Sequence, residues 1–177
     1  MKFILETERL ILREFEDSDA KCMYDLNADP DVIRYTGDPA FESIDDARAF
    51  LENYSDYKRN GYGRWAVILK ETDAFIGWCG LKLNEENFVD IGFRIFKEQW
   101  GKGYASEAAK ATLAYGFQTL NFDEIIGRAV ADNLASIRIL EKLKMKFLKQ
   151  DTCHGFENSV YYIISREEYN KTCRREI

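Results

Sequence analysis

Phe93-Arg94-Ile95-Phe96-Lys97-Glu98-Gln99-Trp100-Gly101-Lys102-Gly103-Tyr104-Ala105-Ser106-Glu107 joins three local signals without a break. A strand runs into a turn with two glycines. The turn runs into a long amphipathic helix with Ala105, Ala108, Ala109, Thr112, Leu113, Gly116, Phe117 and Leu120 on one face. Such a junction gathers backbone N–H groups and the positive end of a helix dipole at one point, a geometry that favours a phosphate. Glycine is needed where the backbone approaches a ligand without a Cβ, and Lys102 adds a cation. Two phosphate loops are excluded by the letters. A Walker loop needs Ser or Thr after Gly-Lys and a Gly five residues before Gly101, where Gly103 and Phe96 stand; a dinucleotide turn needs Gly or Ala where Ser106 stands. An isolated G-x-G also serves as a plain strand-to-helix turn, so the rest of the chain has to decide.

Upstream, strands are predicted around Arg64 to Lys70, Ala74 to Leu83 and Phe88 to Phe96, with links short enough for an antiparallel meander. Arg9 to Arg13 predicts a further short strand. Asp17-Ser18-Asp19 can cap a helix with Ala20, Met23 and Tyr24 on one face. Ser43 followed by Asp46 resembles a capping box, and Ala47, Phe50, Leu51, Tyr54 and Lys58 then recur at helical spacing. Downstream come a strand near Glu124 to Ala131, a helix from about Asn133 to Leu143, and strands near Phe147 and Val160 to Ser165. The order β-α-α-β-β-β-α-β-α-β-β is that of an α/β chain around a mixed sheet. Trp65, Trp78, Phe93 and Phe96 occupy strand patterns without basic interleaving and read as core or cleft wall.

The 177 residues fit one domain, and no linker, repeat or low-complexity segment divides 1–177. With 25 basic against 31 acidic residues the net charge is −6, which disfavours nucleic acid as a partner and tolerates a cationic ligand. The 4 cysteines lie far apart and His154 is the 1 histidine, so no zinc site or disulfide framework is expected and free thiols fit best. The apolar stretch after Met1 is too short for a signal sequence and no membrane-length run follows, so a cytoplasmic location is expected, with no membrane partner.

Trp100-Gly101-Lys102-Gly103-Tyr104-Ala105-Ser106-Glu107-Ala108 resembles the W-G-x-G-Y-A-[ST]-E-A signature of the GCN5-related N-acetyltransferases, in the branch of the ribosomal-protein N-terminal acetyltransferases (RimJ/RimL-like). Glu8-Arg9-Leu10-Ile11-Leu12-Arg13 is similar to the branch's T-E-R-L-x-L-R, and Asn133-Leu134-Ala135-Ser136 to its N-x-x-S; the three motifs, in the right order, cover nearly the whole chain. The resemblance implies the GNAT fold: a mixed, mostly antiparallel sheet with a splayed central strand pair and flanking helices. It implies acetyl-CoA as cosubstrate, no metal, and a primary amine as acceptor, either a protein N-terminus or a small molecule, in a monomer or homodimer. The pantetheine arm would add like a strand beside Phe93, Arg94 and Ile95. The pyrophosphate would rest on Trp100, Gly101, Lys102, Gly103, Tyr104, Ala105 and Ser106, with Asn133 capping the next helix or meeting the pantetheine. Trp100 replaces the wider family's Arg or Gln at the start of the turn, so one side-chain anchor is lost.

For chemistry, a backbone N–H near Ile95 would face the developing oxyanion. Leu140 stands where the family often has a Tyr to protonate the thiolate, which leaves Ser136 as the candidate donor. Asp90 lies near the place where some relatives carry a carboxylate base; Glu124, Glu157, His154 and a water chain are further possibilities. Acceptor specificity is expected in the Tyr35 to Phe41 connection and the Asp151 to Asn158 loop, where Asp31, Asp38, Asp151 and Glu157 suggest a cleft that draws in a cationic amine. Lys144 replaces a Gly after the last helix, so it must turn left-handed or the helix must end differently. The competing reading is a CoA-binding regulatory module without turnover.

Overall fold

Arg64–Leu69 is buried on both faces for most of its length, which places it inside a sheet covered on both sides. The computed structural model describes residues 2–173. Its strands are β1 (Phe3–Glu6), β2 (Leu10–Arg13), β3 (Arg64–Leu69), β4 (Ala74–Leu83), β5 (Val89–Ile95), β6 (Glu124–Val130), β7 (Lys146–Cys153) and β8 (Phe156–Ser165). They form one sheet in the order β1-β2-β3-β4-β5-β6-β8-β7, antiparallel except between β5 and β6. The helices are α1 (Ala20–Ala28), α2 (Pro30–Ile33), α3 (Ile44–Glu52), α4 (Asp56–Asn60), α5 (Tyr104–Gln118), α6 (Leu134–Lys142) and α7 (Arg166–Cys173). Ala108, Ala109, Leu113 and Phe117 of α5 pack with Leu81, Ile91 and Leu140 into one core, and Met23, Leu26, Ala47 and Leu51 of α1 and α3 form a second core against Phe75, Trp78 and Phe96.

Four elements are additions to the predicted order. β1 is too short to show a period and exists through its pairing with β2. The helix expected to run from Ala47 past Tyr54 to Lys58 ends at Glu52, and the chain restarts as α4, which closes on Gly61 at φ 78°. α2 is a single turn with Pro30 at its start, and α7 follows β8 directly. The Asp151 to Asn158 loop is mostly strand. β7 and β8 are joined through His154 and Gly155, both with positive φ as a tight two-residue hairpin requires. Lys144 takes the left-handed conformation, φ 63°, and its N–H donates to the Glu141 carbonyl at 2.9 Å.

The site depends on how briefly β5 and β6 pair. They share only Asp90 with Ile126 and Ile91 with Gly127, whereas β4 stays paired with β5 as far as Gly77 and Ile95. Beyond Ile91 the two central strands part.

Candidate active site

The parting of β5 and β6 leaves one edge of Gly92 to Ile95 without a strand partner. Phe96 N–H donates to the Ile76 carbonyl at 3.0 Å, and strand alternation then turns the N–H groups of Phe93 and Ile95 away from β4 and into the gap. A cleft of about 800 Å³ opens there, lined by the end of β5, the two-glycine turn and the first turns of α5 and α6. All residues expected to meet the cofactor line it except Lys102, whose ammonium is exposed and donates to Gln99 Oε1 at 2.9 Å.

Gly101 and Gly103 have φ of 75° and 85°, conformations that side-chain-bearing residues avoid. Gly103 is the N-cap of α5 and supplies no side-chain cap; the first intrahelical bond runs from Glu107 N–H to Gly103 C=O at 3.0 Å. The N–H groups of Tyr104, Ala105 and Ser106 therefore have no intrahelical acceptor. An uncapped 15-residue helix opening on a cleft fits a diphosphate without a basic side chain. Trp100 acts as a tether instead, because its Nε1–H donates to the Ile95 carbonyl at 2.8 Å and ties the turn to the end of β5.

The turn is braced from the far end of the chain. Glu107 Oε1 accepts from Thr7 Oγ1 at 2.6 Å and from Arg9 N–H at 3.0 Å, while its Oε2 accepts from Arg9 Nε at 2.7 Å. Arg9 also donates from Nη1 to the Lys102 carbonyl at 3.0 Å and lies 4.5 Å above the Tyr104 ring. Burial pushes the Glu107 carboxyl up, but the hydrogen bonds from Thr7 and Arg9 outweigh it and hold its pKa below the ordinary carboxylate value. The T-E-R and Y-A-S-E motifs thus meet as one structural unit, a contact that no local spacing announces.

On the opposite wall, Asn133 caps α6: its Oδ1 accepts from Ser136 N–H at 3.2 Å. Ser136 sits half-buried on the cleft wall, one turn before Leu140. Leu140 is buried in the core, and its side chain fills space that Gly127 leaves open, since a Cβ there would lie 2.5 Å from Leu140 Cδ2. The residue in the family's Tyr position is a packing residue here.

A second cleft of about 490 Å³ meets the first, and Tyr35, Thr36, Phe93, Arg94, Asn133 and Ser136 line both. Asp90 lies in this second cleft, within a network of guanidiniums. Its Oδ2 accepts from Arg64 Nη2 at 3.3 Å and from Arg128 Nη2 at 3.0 Å. The Arg64 Nη1 also donates to the carbonyls of Gly80 and Asp90, and Gly92 leaves the space that this guanidinium occupies. Arg94 donates to Asn27 Oδ1 at 2.5 Å and to Asp38 Oδ2 at 2.6 Å, and both Arg64 and Arg94 lie over the Trp78 ring, at 5.4 and 5.2 Å. Burial works against the Arg128 charge, but Asp90 more than offsets it and holds the pKa above the usual guanidinium value.

Three of the four carboxylates expected to draw in a cationic amine are in ion pairs. Asp31 pairs with Lys97, Asp38 with Arg94 and Asp151 with Lys149, each within 2.8 Å, and these pairs neutralise the carboxylates. Of the other expected bases, Glu124 is exposed at the start of β6 and lines neither cleft; Glu157 likewise, exposed on β8. His154, exposed at the β7–β8 turn, does line the second cleft; Gly37 packs against it so closely that a Cβ would lie 2.5 Å from the His154 carbonyl oxygen. The two expected acceptor segments therefore touch. Among the described residues no group of three or more His, Cys, Asp or Glu side chains could hold a metal ion, and no helix is long and apolar enough to cross a membrane. Arg9, Arg64, Trp78 and Arg128 were not marked as site residues by the sequence; the glycine at position 92 is the only local signal that a bulky group lies over β5.

A family model described as an acetyltransferase (GNAT) domain matches residues 9–146. The uncharacterized N-acetyltransferase p20 of Bacillus licheniformis is 36% identical over 160 residues, covering 88% of each chain. The uncharacterized N-acetyltransferase YnaD of Bacillus subtilis is 34% identical, with 94% of this chain and 99% of that one covered. Among solved structures, a GNAT-family acetyltransferase from Bacillus anthracis superposes with a TM-score of 0.78 at 34% identity, over 94% of this chain and 99% of the other. The spermidine N-acetyltransferase of Vibrio cholerae, solved with CoA and spermine, has the same fold at 20% identity and a TM-score of 0.78, over 93% of this chain and 99% of the other.

Proposed function

We propose, from the premise that this chain belongs to the GNAT acetyltransferase family and is an N-acetyltransferase, that it transfers acetyl from acetyl-CoA to a primary amine by direct attack in a ternary complex. The observation that carries this reading is the meeting of two clefts at Phe93, Arg94, Asn133 and Ser136. One cleft has the main-chain donors that suit a diphosphate and an extended arm; the other leads to the same point from the acceptor side.

When bound, acetyl-CoA supplies the thioester carbonyl that the amine attacks. The uncapped N–H groups of Tyr104, Ala105 and Ser106 would hold its diphosphate, and the open edge of Phe93 to Ile95 would pair with the pantetheine amides. Of the Phe93 and Ile95 N–H groups that face the gap, the one beside the thioester would donate to the oxyanion and the other to the pantetheine, and Ser136 Oγ would donate to the departing sulfur. No protein nucleophile is needed. Asp90 stays outside the proton path in this proposal because two guanidiniums hold its Oδ2 and stabilise the charge that accepting a proton would remove; the amine proton would leave through water in the acceptor cleft.

Residues 1–177 would act as one N-acetyltransferase domain in the cytoplasm, and the W-G-x-G-Y-A-S-E-A stretch supports a place near the ribosomal-protein N-terminal branch. Leu140 favours the competing reading of a CoA-binding regulatory module, and one assay separates them. Incubation with acetyl-CoA and a panel of amines should release free thiol and yield acetylated products by mass spectrometry; tight CoA binding with no thiol release across the panel would establish the regulatory module.

A further inference from the structure

We infer that the acceptor cleft selects an amine whose own molecule also carries a carboxylate. This rests on the acetyltransferase reading above and names the acceptor class that reading leaves open. Three guanidiniums line the cleft, Arg64, Arg94 and Arg128, with side-chain exposures of 14%, 9% and 8%; Arg64 and Arg128 share one equally buried carboxylate, Asp90, and Arg94 pairs with Asp38. The remaining acidic partners sit at the rim. Asp38, which holds Arg94, and Glu85, which holds Arg128, are 56% and 68% exposed. Buried charge of one sign in excess, balanced only by solvated groups, is the arrangement that an incoming anion completes.

Two further observations point the same way. Arg64 and Arg94 share the Trp78 ring, so a planar wall and two guanidiniums lie side by side; Arg94 is held by the exposed Asp38, a solvated partner that a ligand carboxylate can replace on the same fork. One donor is also left over beside these groups: Arg128 Nε is buried with no partner. Burial pulls the Arg94 pKa below its ordinary value against the support of Asp38, with the neighbouring Arg64 charge adding a smaller push in the same direction.

The same cations serve the chemistry. Attack needs a neutral amine, and positive neighbours disfavour the ammonium form, so an acceptor tethered by its carboxylate is held where its amine loses a proton more readily. A polyamine meets the exposed carboxylates of Asp38 and Glu85 at the rim but brings no anion for the buried guanidiniums.

The test compares matched acceptors at saturating acetyl-CoA: α-amino acids and ω-amino carboxylates of increasing length, each against its own carboxamide, together with spermidine and a short peptide amide with a free N-terminus. The α-amino amides have the lower amine pKa and react faster in the absence of recognition, so the comparison is weighted against the inference. The expected result is at least one carboxylate acceptor with kcat/KM about tenfold or more above its amide, and Arg128→Gln bringing that ratio towards one. Spermidine, the peptide amide or the carboxamides matching or exceeding every carboxylate overturns the inference while leaving the acetyltransferase standing. Calorimetry on the protein saturated with CoA reads the same preference without turnover or a variant: heat of binding for an amino carboxylate and none for its amide supports the inference even if no acetyl is transferred. Equal binding of acid and amide, or binding of neither, overturns it.

Discussion

Ser136 stands where two physical demands coincide. Its N–H completes the cap on α6 by donating to Asn133, which fixes the residue in the first turn, and its side chain faces the junction of the two clefts. The cap depends on backbone and on Asn133, so removing the hydroxyl leaves α6 intact. Ser136→Ala should therefore lower kcat on the order of 10²-fold, as expected for losing a positioned proton donor, with CoA affinity nearly unchanged. Single-turnover kinetics beside calorimetry would check this; an unchanged chemical step removes Ser136 from the mechanism. Leu140, by contrast, is fixed by packing against Gly127, and enlarging it to Tyr would press on a filled core rather than restore a donor.

At the scale of the element, the turn from Trp100 to Ser106 works as a backbone device. Its glycines hold left-handed φ, its tryptophan is tied to β5, and its lysine side chain faces away from the cleft. Gly103→Val places a β-branched residue at φ 85°, so the turn must shift, while its Cβ meets Arg9 Nη2 only at the contact distance of 3.4 Å. The CoA dissociation constant should rise about tenfold or more. Lys102→Ala removes an exposed charge whose carbonyl contact to Arg9 survives, and the change should stay within about threefold. Titration calorimetry with CoA gives both values, and similar losses for the two variants would mean that a side-chain charge, not main-chain N–H groups, holds the diphosphate.

At the scale of the molecule, the contact between Glu107 and the Thr7 to Arg9 segment ties α5 to the edge of the sheet across about a hundred residues of sequence, with separations of 98 and 100. Because the folded carboxyl is held below its ordinary value, its contribution to stability is complete above the unfolded pKa of about 4.3 and is lost as pH falls through the lower folded value. Glu107→Gln should cost about 1–2 kcal/mol near neutrality, or roughly 2–8 °C in Tm for a chain of this length. Thermal scans of both proteins from pH 3 to 8 should show that gap shrinking as acid protonates the wild-type residue. A gap that stays constant to pH 3 would mean that the charge of Glu107 contributes nothing.

Local patterning in the sequence was sufficient for the α/β class, the meander β3-β4-β5, the long helix α5 and the turn before it, because apolar period, turn glycines and capping residues act over a few positions. The family resemblance, not the pattern, grouped Phe93 to Ile95, the Trp100 to Ser106 turn, Asn133 and Ser136, and all of these but Lys102 line one cleft. α2 and α4 stayed hidden because elements of four or five residues carry almost no period, and unlike β2 they have no run of three apolar residues between charges; β1 has such a run and is a strand through its pairing with β2. Asp90 shows what pattern cannot decide: nothing in its own strand announces that Arg64 and Arg128, distant in sequence, close on it. The charge of the acceptor cleft was decided in the same way. A net charge of −6 says nothing of how charges are distributed, and only the tertiary structure draws three arginines from β3, β5 and β6 to one floor while pairing the nearby acids at its rim, because Coulomb interactions depend on distance in space and not on separation along the chain.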